Sequence, residues 1–219
     1  MKGLLRNNFI GVLENMKVIF PVVIILGIIL VAIGNPSMLP IFSIAVTPVF
    51  SIVVILCLSK EAHSKWYKYK LSLPVTRKNI IQSYYICHLF WCAAGMTVVT
   101  IFMALTVLFH GNQYFYYGFR DAITLILVGA VLAILIGSAF YPLYCLLGAA
   151  RAEVIVVISV ILSILIVAGL TAIVNALSGD NGVSNTTYYI SLFAIVIITS
   201  IIFIASYALS TALFKNKDY

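Results

Sequence analysis

The chain has 219 residues, 63% of them hydrophobic and 9% charged, with a formal net charge of +7 and a mean hydropathy of +1.17. Soluble domains are about 45–50% apolar and about 25% charged, and a chain this apolar cannot hide its surface in one soluble core. Soluble enzymes, secreted disulfide domains, nucleic-acid binders and disordered regulators are excluded, which leaves a polytopic membrane protein.

Charge placement divides the chain. No charged residue lies between Lys17 and Lys60, Lys78 and Arg120, Asp121 and Arg151, Glu153 and Asp180, or Asp180 and Lys215. A span needs about 20 apolar residues, so each stretch holds one span, or two where a turn interrupts it. Residues 1–16 come first. There Leu4, Leu5, Phe9, Val12, Leu13 and Met16 recur at helical spacing, with Arg6, Asn7, Asn8 and Glu14 between them. The pattern predicts an amphipathic helix in the inner membrane interface, or a helical lead-in to the first span. The segment has the basic start of a signal peptide, but no small-residue cleavage site follows its apolar run.

Span one is expected at 18–35 and span two at 41–59, divided by the turn signal Gly34-Asn35-Pro36-Ser37-Met38-Leu39-Pro40. Spans three to six follow at 80–109, 122–149, 154–177 and 188–214, so residues 1–219 form a single transmembrane domain. All six are expected as helices, because a backbone in lipid must satisfy its own hydrogen bonds. The alternating pattern of a membrane barrel is missing. With the N-terminus inside, both termini and the connections at 60–79 and 150–153 lie in the cytoplasm. Those segments hold twelve of the thirteen basic residues, all but Arg120, as the positive-inside rule requires. The positive charge then answers to topology and anionic lipid headgroups rather than to nucleic acid.

Several chemistries lack their residues. Every carboxylate sits at or beyond a span end, and His88 is the one titratable group expected at depth, so a proton relay has a single member. Cys87, His88 and Cys92 are neighbours in sequence but point to different helix faces, too few for a metal site. The four cysteines, Cys57, Cys87, Cys92 and Cys145, fall inside spans as small apolar residues. Asn185-Thr186-Thr187 fits a glycosylation triplet of a kind common by chance. There is no HExxH motif, no membrane serine-hydrolase pattern around Gly137-Ser138 and no GxxxxGK[ST] loop. The chain is not expected to be an enzyme, and no cofactor is expected on it.

The most informative connection runs from Lys60 to Lys78. Trp66, Tyr69 and Leu73 form an apolar stripe on a short helix, which Pro74 stops, and Thr76 can cap the helix that continues into span three. A Trp/Tyr stripe among lysines suits either a helix at headgroup level or one seated in the groove of a cytoplasmic partner. Elsewhere, Gly129, Ala133 and Gly137 form a small-residue ridge on span four, for packing within the chain or for a dimer. Tyr84, His88 and Trp91 share one face of span three, as a candidate substrate pathway or a packing stripe. The aromatic segment His110–Asp121 reads as a membrane belt, or as a gate, with Arg120 and Asp121 at the headgroups.

The run Glu61…Trp66…Tyr69…Leu71-Ser72-Leu73-Pro74-Val75-Thr76-Arg77-Lys78 resembles the loop after the second span of type-2 ABC exporter permeases, which typically ends in SLPVSRK. Tyr141-Pro142-Leu143-Tyr144…Gly148…Arg151 is similar to that family's ending of helix four, without its basic residue just before the glycine. The resemblance implies an all-α half-transporter of the bacterial cytoplasmic membrane: six transmembrane helices, a cytoplasmic N-terminal amphipathic helix and a short cytoplasmic coupling helix between spans two and three. It also implies two copies of an ABC ATPase subunit, which bind ATP and Mg, and a second permease copy or paralogue. Glu61, Trp66, Tyr69, Leu73 and Arg77 would meet the ATPase or brace the coupling loop, with Arg151 and Glu153 in a smaller second contact. The spans offer no fixed charge, so hydrophobic or amphipathic cargo is expected. Small permeases of this length resemble exporters of amphipathic peptides such as the phenol-soluble modulins. The rival expectation is a membrane anchor or sensor subunit that recruits a cytoplasmic partner without transport.

Overall fold

The computed structural model describes residues 2–35, 37–63, 76–111, 115, 118–148, 151–178 and 184–215, with side chains at all of these except 59, 61–63, 177 and 178. All regular structure among them is helical: α1 (Lys2–Ile33), α2 (Met38–His63), α3 (Arg77–His110), α4 (Phe119–Leu147), α5 (Ala152–Ser178) and α6 (Asn185–Lys215). Each is long and apolar enough to cross a membrane. Even the shortest, α2 with 26 residues, is about 39 Å long at 1.5 Å per residue, beyond the ~30 Å of hydrocarbon.

The helices run alternately up and down, as contacts at the two ends show. At one end Asn8 meets Ser83, Lys60 meets Asn15 and Arg77 meets the last turn of α6. At the other, His110 bonds the Val31 carbonyl and Arg120 bonds Asn185. We call these the terminal and distal ends, since α1 begins and α6 ends at the first. Helices α2 and α4 pack closely together at the centre, α1 and α3 flank α2, and α5 and α6 flank α4. In their most apolar stretches 61% of α2 and 50% of α4 is buried, against 17% in α1, α5 and α6. The outward faces of those three carry Ile25, Ile28, Ile161, Leu165, Phe193 and Ile201, suited to lipid or to another apolar helix.

Helix α1 joins residues 2–16, expected as an interfacial helix or a helical lead-in, to the first span. It continues unbroken from Lys2 to Ile33, and Leu4, Asn8, Val12 and Met16 are all buried. A spacing of four keeps those side chains on one stripe, and Asn8 anchors the stripe by donating to Ser83 Oγ at 3.0 Å. Residues 2–16 are thus the first four turns of the first helix, packed against α3. Helix ends follow local chemistry: Thr76 accepts from the Asn79 amide and caps α3, and Gly148, at φ +83°, ends α4 in the left-handed region.

Candidate functional site

Three proline-containing helices raise the question of where the freed carbonyls go, because proline has no amide to donate to the residue four earlier. In α4, Pro142 leaves the Ser138 carbonyl without its helical donor. Ser206 of α6 replaces that donor through its hydroxyl, at 2.7 Å. Since the Ser206 proton goes there, its oxygen accepts from the Tyr85 hydroxyl at 2.7 Å, and Ser210 in turn donates to Tyr85 at 2.9 Å. The chain Ser210–Tyr85–Ser206–Ser138 ties α3, α4 and α6 together with every proton assigned.

A second polar group sits beside it. His88 Nε2 lies 3.0 Å from the Ala133 carbonyl and 3.0 Å from Ser51 Oγ, and Ser51 donates to the same carbonyl at 3.1 Å. A carbonyl only accepts, so Nε2 carries a proton shared between these two acceptors. Nδ1 lies 3.2 Å from the Tyr141 hydroxyl, so both ring nitrogens are used. Helices α2, α3 and α4 meet at this ring.

The small-residue ridge explains how the ring fits. A Cβ on Gly137 would lie 2.6 Å from His88 Cε1 and Nε2, and one on Gly129 would lie 3.2 Å from the Ser43 carbonyl of α2. Ala133 between them is wholly buried. Gly129, Ala133 and Gly137 are buried and face α2 and α3 of their own chain. Tyr84, His88 and Trp91 are separated in environment. Tyr84 is half-buried, His88 is completely enclosed, and Trp91 is 7% exposed among Phe9, Phe50 and Phe90. Trp91 Nε1 and Thr47 Oγ1 are buried with no hydrogen-bond partner among the described residues.

The terminal end holds the other predicted residues. Arg77 Nη1 donates to the Lys215 carbonyl at 2.9 Å and to that of Phe214 at 3.4 Å. A cation at the C-terminus of α6 meets both the unpaired carbonyls and the negative pole of the helix. Arg151 and Glu153 are exposed at the start of α5, beside the end of α4. Glu61 lies on the last turn of α2, with its side chain outside the described set; Trp66, Tyr69 and Leu73 lie outside the described residues altogether. At the distal end Phe115 is buried against the α1–α3 cluster, while Tyr114, Tyr116 and Tyr117 are outside the described residues. No group of three His, Cys, Asp or Glu able to hold a metal occurs among the described residues.

A family model described as ABC-2 family transporter protein matches residues 3–215, nearly the whole chain. The chain belongs to that family. It is accordingly a multi-pass membrane protein and the permease subunit of an ABC transporter, the membrane subunit rather than the ATPase, and it works with an ABC ATPase. Neither the curated proteins nor the solved structures contain a match. For an ABC-2 permease the Arg77 contact matters, since it joins the residue just after the α2–α3 connection to the far end of the sequence. The sequence suggested Arg77 at the ATPase or as a brace of the coupling loop, and did not point to the α6 carbonyls. Its only signal was a basic residue at one helix start and a helix ending at Lys215 on the same side.

Proposed function

We propose that this permease exports hydrophobic or amphipathic cargo, with amphipathic peptides as the leading class, from a bacterial cell across its cytoplasmic membrane. Its terminal end faces the cytoplasm, where two ATPase subunits bind ATP with Mg and dock on the connection between α2 and α3. Trp66, Tyr69 and Leu73 form the docked stripe, Glu61 and Arg77 brace it, and Arg151 and Glu153 make a second, smaller contact. A second permease, identical or paralogous, completes the pathway. The observation that carries the coupling part is the attachment of Arg77 to the last carbonyls of α6, directly after the capping Thr76. Displacement of the connection thus reaches two long helices at once, as a rigid-body step. The cargo reading rests on spans whose polar groups are hydroxyls, amides and one enclosed imidazole, with no fixed charge to hold an ion.

The test is ATP hydrolysis by the complex reconstituted with its ATPase, with wild type and a Trp66→Ala, Leu73→Ala double variant, and with or without amphipathic peptide. Export coupling predicts that peptide stimulates hydrolysis in wild type and that the double variant loses the ATPase or the stimulation. An ATPase that binds both proteins equally, with hydrolysis indifferent to peptide, would sink the docking and cargo assignments.

A further inference from the structure

Helices α5 and α6 both pack on α4 yet scarcely touch one another. The space between them is an open cleft of about 150 Å³, floored by Leu127 and Val131 and walled by Val167, Leu170, Leu192 and Ile195. The hydroxyls along it are turned away. Thr171 donates to the Val167 carbonyl at 2.9 Å and Ser191 to that of Tyr188 at 2.8 Å, so the walls present hydrocarbon. Toward the distal end the cleft is lined by Thr124 and Tyr188, whose hydroxyls lie 2.6 Å apart and 2.9 and 3.1 Å from the Arg120 carbonyl, so that their protons are used among these three groups.

Arg120 stands one turn beyond Thr124. Its guanidinium lies 4.2 Å from the centre of the Tyr188 ring, and Nη1 donates to Asn185 Oδ1 at 2.8 Å. Among the described residues it is the one Lys or Arg at the distal end, where the positive-inside rule leaves few cations. A slot lined by hydrocarbon with a fixed cation at its membrane-surface end is complementary to one class of molecule. We infer that the cleft holds an acyl chain of an anionic phospholipid, with the lipid phosphate at the Arg120 guanidinium. An apolar cleft does not hold ordered water. A planar guanidinium suits a phosphate oxygen pair, and stacking on Tyr188 fixes its orientation. Lipid in this slot fills the gap that α5 and α6 leave over α4, and its loss lets the two close or part.

The experiment is native mass spectrometry of the full-length protein released from nanodiscs of equal phosphatidylglycerol and phosphatidylcholine. Wild type and Arg120→Lys should retain phosphatidylglycerol over phosphatidylcholine by about fivefold, the effect of one basic residue at an anionic surface. Arg120→Gln should retain the two equally. Leu170→Trp, which fills the slot, should lose bound lipid with its oligomeric state unchanged. As a measure independent of variant folding, phosphatidylglycerol with a photoactivatable acyl chain should crosslink wild type at the α4, α5 and α6 lining. Equal retention of both lipids by wild type, or crosslinks confined to α1 and α3, overturns the proposal. So does a Leu170→Trp protein that keeps its lipid and loses a dimer, since a second copy would then occupy the cleft.

Discussion

The His88 ring is seated on Gly137, close enough that a methyl group there would sit 2.6 Å from two ring atoms. The ring cannot retreat without giving up Ser51 and Ala133 on one side and Tyr141 on the other. Gly137→Ala should therefore destabilise the purified protein by about 1–3 kcal/mol, the usual cost of overpacking, seen as a lowered thermal midpoint. Gly169→Ala is the control, because a Cβ there meets nothing within 4 Å. It should be neutral or slightly stabilising, as a helical glycine is replaced by a better helix former. Equal midpoints for Gly137→Ala and wild type would refute the contact.

Pro142 and Ser206 form a pair that mutation can separate. Ser206→Ala strands the Ser138 carbonyl that Pro142 deprives of its helical donor. A buried acceptor left unpaired costs about 1–3 kcal/mol, toward the lower end for hydrogen bonds within a membrane. Pro142→Ala restores the amide, so the double variant should regain most of what Ser206→Ala loses. The measurement is a double-mutant cycle on thermal or denaturant unfolding in detergent. A coupling energy near zero would mean that the proline and the serine act independently.

The first turns of α1 offer a local test. Asn8 is 5% exposed and donates to Ser83, which in turn donates to the Ile80 carbonyl at 2.7 Å. Asn8→Leu keeps the volume and removes the hydrogen bond. Amide exchange across residues 3–14 should rise about threefold to tenfold, matching the ~0.5–1.5 kcal/mol of one net hydrogen bond. Exchange in the deeper turns of α1 should stay as in wild type. If residues 3–14 instead lie free at the membrane surface, the substitution leaves their exchange unchanged.

These contacts show what one sequence can and cannot reveal. Charge-free apolar runs mark the helices because lipid excludes charge and demands internally bonded backbone, and a threonine at position 76 marks a cap through chemistry local to four residues. The ridge on α4 and the lone histidine on α3 were each visible, but as unrelated features. They are two halves of one contact, and nothing local pairs Gly137 with a ring 49 positions earlier. The same limit hid Asn8. Hydrophobic periodicity put it on the polar side of residues 1–16, whereas a buried partner at Ser83 turns it inward. Polar residues in a membrane helix follow their partners, and partners are tertiary information.

Arg77 joins the start of α3 to the end of α6 through the carbonyls of Phe214 and Lys215. Arg77→Ala removes a charge-assisted contact that is partly exposed, so its loss should cost no more than about 1 kcal/mol. The consequence should be local in stability and larger in function. Amide exchange in the last turn of α6 should rise up to about fivefold, while the thermal midpoint moves little. If α3 and α6 move together when the connection ahead of Arg77 is displaced, the same variant should keep ATPase binding but lose much of the transport driven per ATP hydrolysed. Arg77→Lys should recover part of both, since a lysine supplies charge and a donor but not the rigid, planar guanidinium. Wild-type coupling in Arg77→Ala, together with freed exchange in α6, would separate the two helices functionally and leave Arg77 as a structural cap alone.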